Sequence, residues 1–209
     1  FQNTTIGIIG IGNMGSAMIR GMVNGSIVQP ESIWIYDQEQ DKCKKIQKEL
    51  GVNIAQSSKQ LTENCNIIVP AVKPPFVADV LSEITNVLTS NHLILSIAAG
   101  ITMDQIKEII QEKCYVIRTM PNTPALVGEG MTVICKDSSV PEEYLTIACN
   151  IFRSFGKIEF VSESQMHAAT AISGSSPAYA FLFLEAEFNT YCQPFAYVVS
   201  FPKLSIGAI

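Results

Sequence analysis

Charge is scarce in this chain. Only 16% of its 209 residues are Asp, Glu, Lys or Arg, and the balance is acidic, with a formal net charge of −5. No basic run interleaved with aromatics occurs, so nucleic acid is not an expected partner. Histidine is scarcer still. With His92 and His167 alone, a zinc site is not expected. The cysteines, Cys43, Cys65, Cys114, Cys135, Cys149 and Cys192, form no CxxC pair. They read as scattered thiols of a cytoplasmic protein, with no metal bound. No apolar run approaches the length that crosses a bilayer, so no membrane partner is expected. Phe1 to Thr5 lack the charged start and cleavage site of a secretory leader. What is plentiful is apolar: hydrophobic residues make up 47% of the chain. That is enough for one well-packed α/β domain and a smaller piece.

The sequence is organised around Thr5 to Ala17, TIGIIGIGNMGSA. An apolar run, Ile6 to Ile9, leads into Gly10, Gly12 and Gly15 in GxGxxG spacing. Each glycine has its own reason. Gly10 permits a tight turn out of a strand, Gly12 lets a pyrophosphate approach the backbone, and Gly15 lets the next helix pack close on the strand. The N-terminus of that helix then faces the phosphates. A second strand, Ile33-Trp34-Ile35-Tyr36, ends in Asp37, 22 residues after Gly15. That spacing suits a carboxylate on the adenosine ribose 2′-OH.

Strand-like and helix-like segments then alternate, the mark of a doubly wound sheet. Helices are expected over 38–50, 57–63, 76–88, 103–112 and 141–154. Strands are expected over 52–55, 66–70, 92–96, 115–119, 130–136 and 157–161, with 130–136 reading as an alternating strand. Three strand ends open into distinctive loops: Ala71-Val72-Lys73-Pro74-Pro75, Ser96-Ile97-Ala98-Ala99-Gly100 and Met120-Pro121-Asn122-Thr123-Pro124-Ala125. Ligands of open α/β sheets bind at such ends. Lys73 reads either as a cationic contact to cofactor phosphate or ribose, or as a solvated lysine. The small residues after Ser96 allow a flat group against the backbone, or plain close packing. The stiff Pro121–Asn122 loop reads as a nicotinamide wall or a rigid turn. From Ser162 the character changes. Ser162 and Gln165 form a capping box, followed by an almost wholly apolar helix to Ala186, interrupted by Gly174 and Pro177. Its hydroxyls either line a pocket or sit in a kinked core helix.

GIGNMG, AVKP, SIAAGI, MPNTPALVGEGMT and ISGSSPAYAF, in this order, closely resemble the pyrroline-5-carboxylate reductase family over about residues 4–186. The resemblance implies a Rossmann-type doubly wound sheet (1–161), followed by the start of a helical dimerisation domain that is truncated (162–209). It implies an oxidoreductase of proline, and hence amino-acid, biosynthesis, passing hydride from NAD(P)H to the C=N of 1-pyrroline-5-carboxylate. The substrate is thus a small cyclic imine acid, and the assembly a homodimer or larger homo-oligomer. Carried over by position, Ile9, Gly10, Ile11, Gly12, Asn13 and Met14 hold the pyrophosphate, with Gly15 completing the cofactor-binding turn. Asp37 meets the adenosine ribose, Ser58 stands near the adenine, and Ala71, Val72, Lys73, Pro74, Ile97, Ala98 and Ala99 flank the cofactor. Pro121 and Asn122 stand beside the nicotinamide. Glu163 matches a family acid.

Two departures follow. Many relatives carry small or basic residues where Asp37 stands, and a carboxylate there favours NADH over NADPH. The match stops at Ala186, and the family's SPGGTT-like segment, with its substrate-binding N–H groups, is not found in the tail. The remaining pocket candidates are Ser175, Ser176 and Tyr179, and turnover by this chain is expected to be weak or absent. Two other readings are a cofactor-binding remnant without turnover and a β-hydroxyacid dehydrogenase relative. The second needs a lysine on the long helix, and no lysine occurs between Lys157 and Lys203.

Overall fold

The structure is a computed structural model that describes residues 4–191, with the backbone alone at 175, 176 and 187–191. The chain divides into two units, one ending at Gly174 and the other beginning at Ser175.

The first unit is built on one eight-stranded sheet. In chain order its elements are β1 (Ile6–Ile9), α1 (Asn13–Asn24), β2 (Ile33–Tyr36), α2 (Gln40–Leu50), β3 (Asn53–Ile54) and α3 (Ser58–Asn64). There follow β4 (Ile67–Pro70), α4 (Val77–Ile84), β5 (Leu93–Ser96), α5 (Met103–Ile109), β6 (Tyr115–Met120), β7 (Gly130–Lys136), α6 (Glu142–Arg153) and β8 (Gly156–Phe160). The spatial order is β3-β2-β1-β4-β5-β6-β7-β8. Pairing is parallel from β3 to β6, antiparallel between β6 and β7, and parallel again between β7 and β8. This is a Rossmann-type sheet, with strand order reversing between β1 and β4.

Helices cover both faces, so the central strands read as continuous apolar runs. Successive residues go to opposite sides. Ile8, Ile67, Leu93 and Ile117 pack with Met18, Ile19 and Phe152 of α1 and α6. Ile9, Ile68, Ile94 and Val116 pack with Leu61, Leu81 and Ile106 of α3, α4 and α5. The strand over 130–136 is an expectation the structure changes. Thr132 to Cys135 are all buried, because β8 covers the far side of β7 and helices cover both faces. Half-exposed strand character falls to β8, the edge.

Helix ends differ from expectation where local geometry wins. The helix expected over 76–88 is α4 flanked by single 3-10 turns, Pro74–Phe76 and Thr85–Val87. The helix expected to reach Glu112 stops at Ile109, because Gln111 and Glu112 turn left-handed (φ 55° and 52°). Its start is as read: Thr102 and Gln105 form a capping box. Gly51 ends α2 in the left-handed region (φ 75°), which suits glycine.

The last helix, α7 (Met166–Tyr191), runs through the unit boundary without a break at Pro177. Gln165 Oε1 accepts the Ser162 N–H at 3.0 Å just before it. Its opening residues belong to the first unit, where Met166 is fully buried against the α5 side of the sheet. In the second unit Tyr179, Phe181, Leu182, Phe183 and Leu184 are all exposed. Four consecutive apolar residues leave a helix no polar face. The tail after Tyr191 lies outside the described residues.

Candidate functional site

The parallel strands β2, β1, β4, β5 and β6 all end along one edge of the sheet. At that edge lie Gly10 to Gly15, Asp37, Ala71 to Pro74, Ile97 to Ala99, and Pro121 with Asn122. The topology therefore gathers loops that are far apart in sequence.

The glycine turn tests its own reading atom by atom. Gly10 has φ +102°, a region that glycine tolerates and other residues strain to enter. A Cβ on Gly10 would also meet the Ala71 carbonyl oxygen at 2.7 Å. A Cβ on Gly15 would lie 2.2 Å from the Gly10 carbonyl oxygen, so α1 is seated directly on the turn. A Cβ on Gly12 would meet nothing within 4 Å. Two of the glycines are packed against protein and the third borders open space at the start of α1. No side chain caps that helix, and its first turn carries no acidic residue. The N-terminal N–H groups therefore remain for an anionic ligand.

Asp37 is already employed. Its Oδ2 accepts the Ile11 N–H at 2.6 Å and its Oδ1 the Glu39 N–H at 2.8 Å. The Gly10 N–H donates to the Tyr36 carbonyl at 2.8 Å beside it. The carboxylate thus clips the end of β2 to the glycine turn, and each oxygen keeps a lone-pair direction for a further donor. The nearest cation in sequence, Lys42, is paired with Glu39 at 2.6 Å.

The other sequence candidates fall as follows. Ile9 and Ile11 are buried, Asn13 is exposed, and Met14 is half-buried. Across the switch point the Ala71 N–H donates to the Ile9 carbonyl at 2.7 Å. Ala71 and Val72 are half-buried, while Lys73 and Pro74 are exposed. Ala98 is buried between half-buried Ile97 and Ala99, with the Ser96 hydroxyl accepting the Ala98 N–H. Ser58 is buried in the first turn of α3, and its carbonyl accepts from the Thr62 hydroxyl. The capping hydroxyl there belongs to Ser57, which accepts the Gln60 N–H at 3.1 Å. Pro121 and Asn122 are buried. Tyr179 is 70% exposed, and the side chains of Ser175 and Ser176 lie outside the described residues.

This region also holds a buried ion pair that belongs to no sequence motif. Arg118, in the middle of β6, is only 1% exposed. Its Nη1 donates to Glu163 Oε1 at 2.6 Å, and the same oxygen accepts the Met103 N–H at 3.2 Å. Arg118 Nε and Glu163 Oε2 are buried with no partner among the described residues. Cys135 lies beside the pair, and burial, then the Glu163 charge, push its thiol up to about 11. The signal was present, since an arginine inside Tyr-Val-Ile-Arg-Thr-Met needs a buried counter-charge.

Burial alone pushes the Cys65 thiol up and, with a small opposing backbone hydrogen bond, lifts Cys114 to about 12. Such thiols are packing groups rather than ready ligands. Among the described residues no cluster of His, Cys, Asp or Glu is placed to hold a metal. No described helix is long and apolar enough to cross a membrane.

Comparison with known proteins adds the following. A family model described as "NADP oxidoreductase coenzyme F420-dependent" matches residues 5–100. A second, "Pyrroline-5-carboxylate reductase dimerisation", matches residues 163–192. The pyrroline-5-carboxylate reductase of Escherichia coli (strain K12) is 43% identical over 181 residues, covering 87% of this chain and 67% of that one. A Plasmodium falciparum pyrroline carboxylate reductase solved with NADP bound superposes with a TM-score of 0.83 at 34% identity, over 93% of this chain and 71% of the other. A pyrroline-5-carboxylate reductase from Coxiella burnetii gives a TM-score of 0.85 at 31% identity, over 91% and 71%.

Proposed function

The chain belongs to the pyrroline-5-carboxylate reductase family, and from that premise we propose that its glycine edge and the loops beside it work as one hydride-transfer site. It is an NAD(P)H-dependent oxidoreductase that reduces the C=N bond of 1-pyrroline-5-carboxylate to give L-proline. The observation that carries the site is the division of labour among Gly10, Gly12 and Gly15, in which only Gly12 faces open space. Neither alternative is favoured: relatives named for this activity match most of the chain, and the long helix lacks the lysine an alcohol dehydrogenase would use.

The residues present fit a dinucleotide. The N–H groups of 13–15 and the space over Gly12 would take the pyrophosphate, and Asp37 the ribose hydroxyls. Ala71 to Pro74, Ile97 to Ala99, Pro121 and Asn122 would flank the rest, with Ser58 on the adenine side. The bound nicotinamide supplies the hydride. The chain's own task is positioning. An iminium carbon is already electrophilic, so holding it in line with the donor does most of the work. The stiff Pro121–Asn122 loop fixes one wall of the nicotinamide site. Residues 1–161 then form the dinucleotide domain and 162 onward the pairing segment. The test is titration of this chain with NADH and NADPH, followed by consumption of reduced cofactor dependent on pyrroline-5-carboxylate, for which only weak turnover is expected. A chain that binds neither NADH nor NADPH overturns the reading.

Cofactor choice follows from Asp37. Its charge repels a 2′-phosphate and accepts a 2′-OH. NADH is expected to bind about tenfold more tightly than NADPH, the size of one like-charge contact near a protein surface. Asp37→Ser is expected to narrow the ratio while lowering both affinities, because the Ile11 and Glu39 N–H groups lose their acceptor. Titration of both cofactors checks this, and a parent chain that prefers NADPH refutes it.

The exposed apolar face of α7 supports pairing of two chains through this helix in a symmetric dimer. Sedimentation at micromolar concentration is expected to give twice the chain mass, and a monomer there refutes the dimer.

A further inference from the structure

Asn122 is buried at the end of β6, and both ends of its side-chain amide are committed to backbone. Its Oδ1 accepts the Met131 N–H at 2.8 Å, at the start of β7. Its Nδ2 donates to the Ser173 carbonyl at 3.3 Å, in the opening turns of α7. One partner is a donor and the other an acceptor, so the orientation of the amide follows from chemistry.

The Ser173 carbonyl is available for a reason written in the sequence. In an α-helix it would accept the N–H of the residue four positions on. That residue is Pro177, which has no N–H. The proline stays inside the helix, and its missing hydrogen bond is made by a side chain from a different element. Met120, two residues before Asn122, comes within 3.7 Å of where a Cβ on Gly174 would stand. The loop and the helix opening therefore meet at two adjacent points.

We infer that Asn122 is a positioning residue: through the Met131 N–H and the Ser173 carbonyl freed by Pro177, it latches the loop after β6 to the start of α7 and so sets where the nicotinamide wall stands. The latch itself rests on the hydrogen bonds above, and its bearing on the nicotinamide rests on the proposed function. The side-chain amide is then not a cofactor ligand. Asn122 acts on the cofactor through the loop it holds.

The test is a double-mutant cycle on the full chain with Asn122→Ala, Pro177→Ala and the pair. Asn122→Ala raises the unfolding equilibrium constant in the parent, because both hydrogen bonds of the amide are lost. In the Pro177→Ala background residue 177 supplies the helical N–H, and the cost of Asn122→Ala is expected to shrink by about fivefold, leaving the part due to Met131. Equal cost in both backgrounds overturns the latch. The second readout uses NADH against ADP-ribose, which lacks the nicotinamide. Asn122→Ala is expected to weaken NADH about fivefold and leave ADP-ribose unchanged. Equal loss for both ligands overturns the positioning role. If the parent binds neither ligand, the proposed function fails, and the unfolding cycle still decides the latch.

Discussion

Glu163→Ala is expected to destabilise the chain by about 3 kcal/mol, more than any other change to a single charge in it. The reason is what stays behind. Arg118 cannot give up its proton, and it sits 1% exposed in β6, paired across the sheet with Cys135 of β7. Removing its partner leaves a desolvated guanidinium and an unsatisfied Met103 N–H. The Glu163 side chain is 34% exposed, so water can reach part of the vacated space, which keeps the value at the low end of the range for buried pairs. The asymmetry gives a sharper form of the prediction. Arg118→Leu removes the buried charge and leaves Glu163 as the more hydrated partner, so it is expected to cost less than Glu163→Ala although it removes the larger side chain. Glu163→Gln keeps the acceptor for Met103 and should fall between parent and Glu163→Ala. Urea unfolding of the three variants checks the order. Arg118→Leu as the most damaging would show that packing of the arginine, not its charge, governs the site.

The pair also illustrates what can be read from a sequence and what cannot. The strands and the glycine turn were legible because each rests on local chemistry. Apolar runs of four to six residues, cut by Gly, Pro or Asp, leave little other than a covered parallel strand. Ser162 and Gln165 announced the last helix by a pattern four residues long. Arg118 and Glu163 lie 45 positions apart. An isolated arginine in an apolar strand states that a partner exists without naming it, and Glu163 was visible as an acid without a task. The same holds for Asn122. Its loop pointed to the cofactor edge, but its hydrogen bonds to Met131 and Ser173 depend on where β7 and α7 pack. The burial of β7 is not written in its local pattern for a related reason, since its far side depends on β8 arriving parallel to it. Helix ends failed at smaller scale, where Gln111 and Glu112 turn left-handed without a glycine to mark the stop.

Gly12→Val and Gly15→Ala are expected to break the same motif in opposite ways. Valine at 12 has room: a Cβ there meets nothing within 4 Å, and the backbone (φ −81°, ψ −165°) is extended, a region β-branched residues favour. The fold should lose no more than about 1 kcal/mol, the usual scale for a poor residue at a helix N-cap. The isopropyl group, however, occupies the space over the helix start. A pyrophosphate kept away from those N–H groups loses one or two charge-assisted hydrogen bonds, so NADH and NADPH should each weaken by about a hundredfold. Alanine at 15 adds a single methyl group, but its Cβ would stand 2.2 Å from the Gly10 carbonyl oxygen. That oxygen belongs to a turn held at φ +102°, with the Gly10 N–H fixed on Tyr36. The turn cannot rotate away without breaking that bond, so α1 must lift off β1. The smaller substitution should therefore cost about 3 kcal/mol in unfolding, on the scale of an overpacked core, and weaken both cofactors only as a consequence. Thermal melts with paired cofactor titrations separate the two. Full cofactor affinity in Gly12→Val would reduce the motif to a structural turn. An unshifted melt in Gly15→Ala would show that α1 is not seated on Gly10 as drawn.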